Sequence, residues 1–254
     1  MNEFMKEVEQ KASILVDALP YIRDFHDKIL VIEYGCGEAL DAEKEKALMK
    51  DIALLSSIGL KPIVVHDTRM GVDKFRENKR VAKLIEICGM KAIGVCGIDL
   101  QTLQITMDNG YIPVIVPNDI DTEDQYIDPR ETAKEIASLL QADKLVYLMP
   151  FTGVYKNEDH TEHYGQLSPE ELQEILDEDQ TSADTRKLAE MCVEATRRGV
   201  YRAHVIDGRM EHALLLELFS VNGIGTVVMK NKKHRYPHEL ARMAKEAVEK
   251  AKIE

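Results

Sequence analysis

The feature that most constrains this chain is the alternation of strand-length apolar runs with stretches of helical period. The first run, residues 29–32, closes on a glycine turn, Gly35-Cys36-Gly37, and a helical pattern follows over 42–57 through Leu48, Ile52 and Leu55. A second run, 62–66, completes a strand–helix–strand unit, which implies parallel pairing with a crossover helix. Further helices are expected over 72–87, 130–140, 183–198 and 211–219, and further strands over 92–96, 112–116, 144–149, 203–206 and 225–229. Ser168-Pro169-Glu170-Glu171 reads as a helix start, with Ser as N-cap, Pro at N1 and Glu at N3. The fold class is therefore α/β with a mainly parallel sheet buried on both faces. Residues 1–27 form a separate amphipathic helix through Phe4, Val8, Ala12, Leu15, Val16 and Leu19, interrupted at Pro20.

Ligands in such folds sit beyond the carboxyl ends of the strands. The turn after the first strand has the grammar of a phosphate site, because Gly35 and Gly37 let backbone N–H groups approach an anion at a helix N-terminus. The polar residue at that strand's end is nevertheless Glu33, a carboxylate where an anion site wants a cation.

Charge narrows the partners. A formal net charge of -12 speaks against a general nucleic-acid surface, and the one basic cluster, Lys230 to Arg235, reads as a solvated loop. No apolar stretch is long enough to span a bilayer, and the first residues carry Glu3, Lys6, Glu7 and Glu9 where a signal sequence has its apolar core, so a cytoplasmic location is expected. The 4 cysteines lack CxxC spacing and fit reduced thiols better than a disulfide framework. Asp119, Asp121, Asp124 and Asp128 lack the spacing and glycine of a calcium loop and read as a solvated acidic loop, while His160 and His163 read as surface residues.

Several segments together resemble N-acetylglutamate kinase, of the amino-acid kinase superfamily. The most specific is His204-Val205-Ile206-Asp207-Gly208-Arg209-Met210-Glu211-His212-Ala213-Leu214-Leu215-Leu216-Glu217-Leu218-Phe219, followed by Gly223-Ile224-Gly225-Thr226. Others are Ala18-Leu19-Pro20-Tyr21-Ile22, Asp51-Ile52-Ala53-Leu54-Leu55, Pro62-Ile63-Val64-Val65-His66 and Asn109-Gly110-Tyr111-Ile112-Pro113-Val114-Ile115. The resemblance covers nearly the whole chain. It implies a three-layer α/β/α sandwich, with an oligomerisation-type helix over 1–27, a former acyl-substrate lobe over 28–140 and a former nucleotide lobe over 141–254. An active member would be an ATP-dependent phosphotransferase acting on a carboxylate.

The site motifs depart from that pattern. Where the resemblance implies a Lys before two glycines stands Glu33, and where it implies a second glycine cluster, His66 is followed by Asp67, Thr68 and Arg69. The residue that would organise the catalytic lysines falls at Pro150, the second Lys at Leu188 with Lys187 one step off, and a substrate-gripping Asn at Pro129. The segments between His66 and Cys96 and between Asp99 and Asp108 are short, and in relatives they carry the lid and the Arg that hold the substrate carboxylates. Phosphoryl transfer rests on positioning and on cations that neutralise developing charge, so Glu33 and Asp67 turn the local field the wrong way. ATP and Mg become doubtful cofactors, although Arg69 or Lys187 remains a candidate replacement cation.

Two functional classes stay open beside residual kinase activity. In arginine-inhibited relatives an N-terminal helix interlaces dimers into a hexamer, and effector arginine is held by positions that match His204, Glu217 and Gly223. That implies a ligand-binding, regulatory or scaffolding homo-oligomer, a dimer or a hexamer of dimers, with arginine as the candidate small molecule. The second class is new chemistry at the old site. Glu33 with Cys36, His66 with Asp67, and Cys96 with Asp99 are expected at the ends of three neighbouring strands, where they make a candidate transition-metal set or a reactive thiol at Cys36.

Overall fold

A computed structural model of the chain describes residues 3–35, 37–67, 72–117, 127–220, 223–232, 235–240 and 243–244. These residues divide into two compact units, one of Met1–His26 with Lys233–Glu254 and one of Asp27–Lys232. In the first unit, helix α1 (Glu3–Phe25) runs on through Pro20, where the sequence suggested a break. Proline removes one backbone hydrogen bond from a helix, and here an aromatic cluster steadies the turn that follows. Tyr21 meets His238 at a tilt with ring centroids 4.1 Å apart, Phe25 meets Tyr236 edge-on at 5.8 Å, and Asp24 Oδ2 accepts from His238 Nδ1 at 2.6 Å. Val16 and Leu19 on the same helix are exposed.

The second unit carries the sheet. Its elements are β1 (Ile29–Tyr34), α2 (Ala42–Ser57), β2 (Lys61–His66), α3 (Lys74–Ile87), β3 (Lys91–Cys96), α4 (Leu100–Asp108), β4 (Tyr111–Val116), α5 (Pro129–Leu139), β5 (Lys144–Met149), β6 (Gln166–Leu167), α6 (Pro169–Asp177), α7 (Ala183–Arg197), β7 (Arg202–Asp207), α8 (Ala213–Leu218) and β8 (Thr226–Met229). The strands pair in the order β3-β4-β2-β1-β5-β7-β8-β6, all parallel except β7 with β8. Strand β5 is buried throughout, and β1 and β2 are buried at every residue but the first, which is why they read as continuous apolar runs.

Helix starts follow local chemistry. Asp41, Asp73, Asp99 and Asp128 cap α2, α3, α4 and α5 by accepting backbone N–H groups. Ser168 and Glu171 form a reciprocal capping box at α6, as the sequence indicated. Helix α4 is the one the sequence reading passed over. Its signal was present in the Asp99 cap and in Leu103 and Met107, four residues apart on the buried face.

Topology corrects one expectation. β1 and β2 are neighbours as expected, but β4 lies between β2 and β3, so the end of β3 does not join them. Cys96 closes the edge strand, three inter-strand spacings or about 14 Å from the line of β1. A continuous strand 112–116 carries no mark of which neighbour it joins, because register and order are set by packing across the whole sheet. Among the described residues, no helix is long and apolar enough to cross a membrane.

Candidate functional site

Glu33 is the fifth residue of β1, paired in register with Val65 of β2 and Tyr147 of β5, in the middle of the sheet near its carboxyl edge. It is 1% exposed, and its Oε2 has no hydrogen-bond partner. Burial pushes its carboxyl up to about 8 against an ordinary 4.5, Arg130 opposes this, and Asp128 and Asp67 add to it. The Gly35 N–H also donates to the carboxylate form. At neutral pH the group is therefore mostly the uncharged acid. A Cβ on Gly35 would stand 2.8 Å from Glu33 Oε2, so a side chain there would push the folded-back carboxyl aside.

Facing Glu33 is a charge cluster at the start of α5. Asp128 Oδ1 accepts from Arg130 Nε at 2.9 Å, its Oδ2 accepts from Arg130 Nη2 at 2.8 Å, and Lys187 of α7 reaches the same Oδ2 at 3.0 Å. Burial opposes ionisation of Asp128, but the bonds from Arg130 and Lys187 outweigh it and hold the carboxyl below its ordinary value. Tyr147 completes the group with its hydroxyl 3.5 Å from the Arg130 carbonyl oxygen, and burial raises its pKa well above the usual phenol value. The sequence left the second cation between two neighbours. Leu188 is buried in the core, and Lys187 turns to Asp128.

The β2 end is closed off by a separate network. His66 Nδ1 donates to the Asp67 carbonyl oxygen at 2.8 Å, and Asn78 Nδ2 donates to Nε2 at 3.1 Å. These partners assign the neutral Nδ1–H tautomer, and burial lowers the ring pKa in agreement. Both ring nitrogens are engaged, so a metal at His66 would have to displace Asn78. Tyr34 donates to Glu45 at 2.8 Å, and Arg80 spans Glu45 and Glu77 at 2.7 Å each.

The other candidates stand apart. Cys36, Arg69, Asp119, Asp121 and Asp124 lie outside the described residues. Asp99 is spent as the α4 cap, and Cys96 is exposed with its thiol pushed up by burial and eased by Lys74. Among the described residues no group of three His, Cys, Asp or Glu side chains is arranged to hold a metal ion. Of the expected set, Glu33 and Asp67 do share a field, since Asp67 raises the Glu33 pKa.

His204, Glu217 and Gly223 do come together. His204 Nδ1 lies 2.6 Å from Glu217 Oε1, and Glu217 Oε2 accepts from the Ile224 N–H at 2.6 Å. A Cβ on Gly223 would stand 2.6 Å from Glu217 Oε2, at a φ of +68°. Burial lowers the His204 pKa and leaves its Nε2 without a partner; burial also opposes ionisation of Glu217, but His204 and the Ile224 and Gly225 N–H groups together outweigh it and hold that carboxyl below its ordinary value. His204 and Glu217 are each 4% exposed.

Asp128, Arg130 and Tyr147 are the site residues that sequence reasoning missed. Asp128-Pro129-Arg130 was visible only as a loop end and a helix start, and nothing local says that this cap faces β1.

Residues 77–207 match the amino acid kinase family. An acetylglutamate kinase of Caldanaerobacter subterraneus is 30% identical over 87% of this chain and 93% of its own length. One of Thermoanaerobacter pseudethanolicus is 31% identical with the same coverage. Among solved structures, N-acetylglutamate synthase from Neisseria gonorrhoeae, complexed with coenzyme A and L-arginine, aligns with a TM-score of 0.70 at 24% identity, over 87% of this chain and 65% of its own. Carbamate kinase from Giardia lamblia bound to AMP-PNP aligns at 0.63 and 11% identity, over 81% of this chain and 99% of its own.

Proposed function

The chain belongs to the amino acid kinase family, among its acetylglutamate-kinase-like members, and from that premise we propose that it binds a small ligand without transferring a phosphoryl group. The observation that carries this reading is Glu33, buried at the end of the central strand and uncharged at neutral pH. Phosphoryl transfer draws almost all its acceleration from positioning and from fixed cations around the transferring group. A carboxyl at this position supplies no cation below pH 8 and an anion above it. The two cations nearest by bonding, Arg130 and Lys187, are both bound to Asp128, which halves their net charge.

The ligand class follows from the second cluster. His204, Glu217 and Gly223 offer an ionised carboxylate and an imidazole nitrogen without a partner, a pair suited to a guanidinium or amino-acid ligand once the 223–225 turn moves aside. The arginine bound to the Neisseria synthase, which shares the fold, makes arginine the first ligand to test. In this reading the protein is a homo-oligomeric sensor or scaffold. Isothermal titration with arginine is expected to give saturable binding that Glu217→Gln abolishes. No heat with arginine, N-acetylglutamate or ATP sinks the sensor.

One observation favours a second reading. Asp128 holds Arg130 and Lys187 together beside Glu33, and a pair of organised cations is what residual ATP-dependent transfer to a carboxylate would use. An assay for acyl phosphate separates the two.

A further inference from the structure

His212 stands at the N-cap of α8 with φ +59° and ψ 28°, a left-handed conformation that costs a non-glycine residue energy unless its surroundings hold it. Its side chain makes no capping bond to the helix. Instead its Nδ1 lies 2.7 Å from Asp51 Oδ1, on α2 and 161 residues away in sequence. Asp51 is 2% exposed, and its other oxygen, Oδ2, is buried without a partner. A buried carboxylate with one bare oxygen depends strongly on a positive neighbour. The ring that supplies the charge is half-exposed, within reach of solvent protons.

We propose that His212 and Asp51 form a proton-gated tether between α8 and α2, closed when His212 is charged and loosened when it is neutral. Lys50 on α2 opposes the charge on His212, and Glu211, beside His212 in the chain, supports it while opposing that on Asp51. The bond to Asp51 is the largest influence on the ring and raises its pKa. Burial is the largest influence on Asp51 and raises its pKa despite the ring. A raised histidine pKa adds stability that is complete below the unfolded value of 6.5 and is lost as pH rises through the folded value. Above that point Asp51 keeps a neutral hydrogen bond and no counter-charge.

The two helices reach both clusters already described. α8 carries Glu217, and α2 carries Glu45, which accepts from Tyr34 beside Glu33. A role in ligand response rests on the function proposed above, whereas the tether itself does not.

Hydrogen exchange of the full chain tests the tether without any ligand. Protection of peptides over 42–57 and 213–218, corrected for intrinsic rate, is measured at about pH 6 and about pH 8.5 in the wild type and in His212→Asn. Asparagine tolerates the left-handed conformation and removes the charge. The expected loss of wild-type protection is about tenfold for each unit by which the His212 pKa is raised. The variant is expected to show the weaker protection at both values. Glu33 also titrates in this range, but it is present in both proteins. Equal pH dependence in the two proteins, or none in the wild type, overturns the tether. Should the variant fail to fold, the NMR titration of the wild-type His212 ring decides, because a folded pKa at or below 6.5 overturns it and a higher one supports it.

Discussion

Glu33 sits under two opposed demands. Its position in the middle of the sheet removes it from water, and the nearby Asp128 and Asp67 disfavour its charge, while Arg130 and the Gly35 N–H favour it. Burial wins, and that fixes the sign of a pH effect. Between an unfolded pKa of 4.5 and a folded one of about 8, the folded chain holds a proton that the unfolded chain has lost. Stability therefore falls as pH rises through this window and levels off above it. Glu33→Gln removes the effect. The variant is expected to be the more stable protein at pH 8, by on the order of a few kcal/mol, and to match the wild type more closely near pH 5. Urea midpoints of both proteins across that range check this, and parallel pH profiles count against a neutral buried Glu33. The identity of this residue was legible in the sequence as a carboxylate at a strand end. Its protonation was not, because that depends first on how deeply the folded sheet buries it and then on Arg130, Asp128 and Asp67, which lie outside β1.

At the scale of the element, α7 sets the phase of the site. Its register puts Leu188 into the core and Lys187 at Asp128, one residue apart on a helix that turns about 100° per residue. Leu188→Ala is expected to cost about 2–5 kcal/mol of stability. Lys187→Met, at a half-exposed pair, is expected to cost less than about 1 kcal/mol. Thermal or urea unfolding of the two variants separates them, and a reversed order would mean the helix is rotated. Most elements were legible because apolar period and caps are local properties, as in the Ser168–Glu171 box and the run of β5. What escaped was relational. The sequence of β4 does not say that it inserts between β2 and β3, and the start of α5 does not say that its Asp128 cap faces Glu33. The resemblance in 204–219 and 223–226 named three residues that lie together, since His204 bonds Glu217 across β7 and α8 and Gly223 packs against the Glu217 carboxyl.

At the scale of the molecule, the chain keeps the fold of its family, and the proposed difference lies in the chemistry at the carboxyl end of β1. The parallel sheet still delivers the ends of β1, β2 and β5 to one edge, where a ligand site of this architecture lies. That edge presents a neutral acid, a closed histidine network at His66 and a cation pair held by Asp128. The most direct test is trapping of acyl phosphate with hydroxylamine in the presence of Mg-ATP and N-acetylglutamate. The wild-type protein is expected to form no hydroxamate above the protein-free background. Hydroxamate that requires both ATP and this protein, and that disappears in Lys187→Ala, would contradict the loss of phosphoryl transfer.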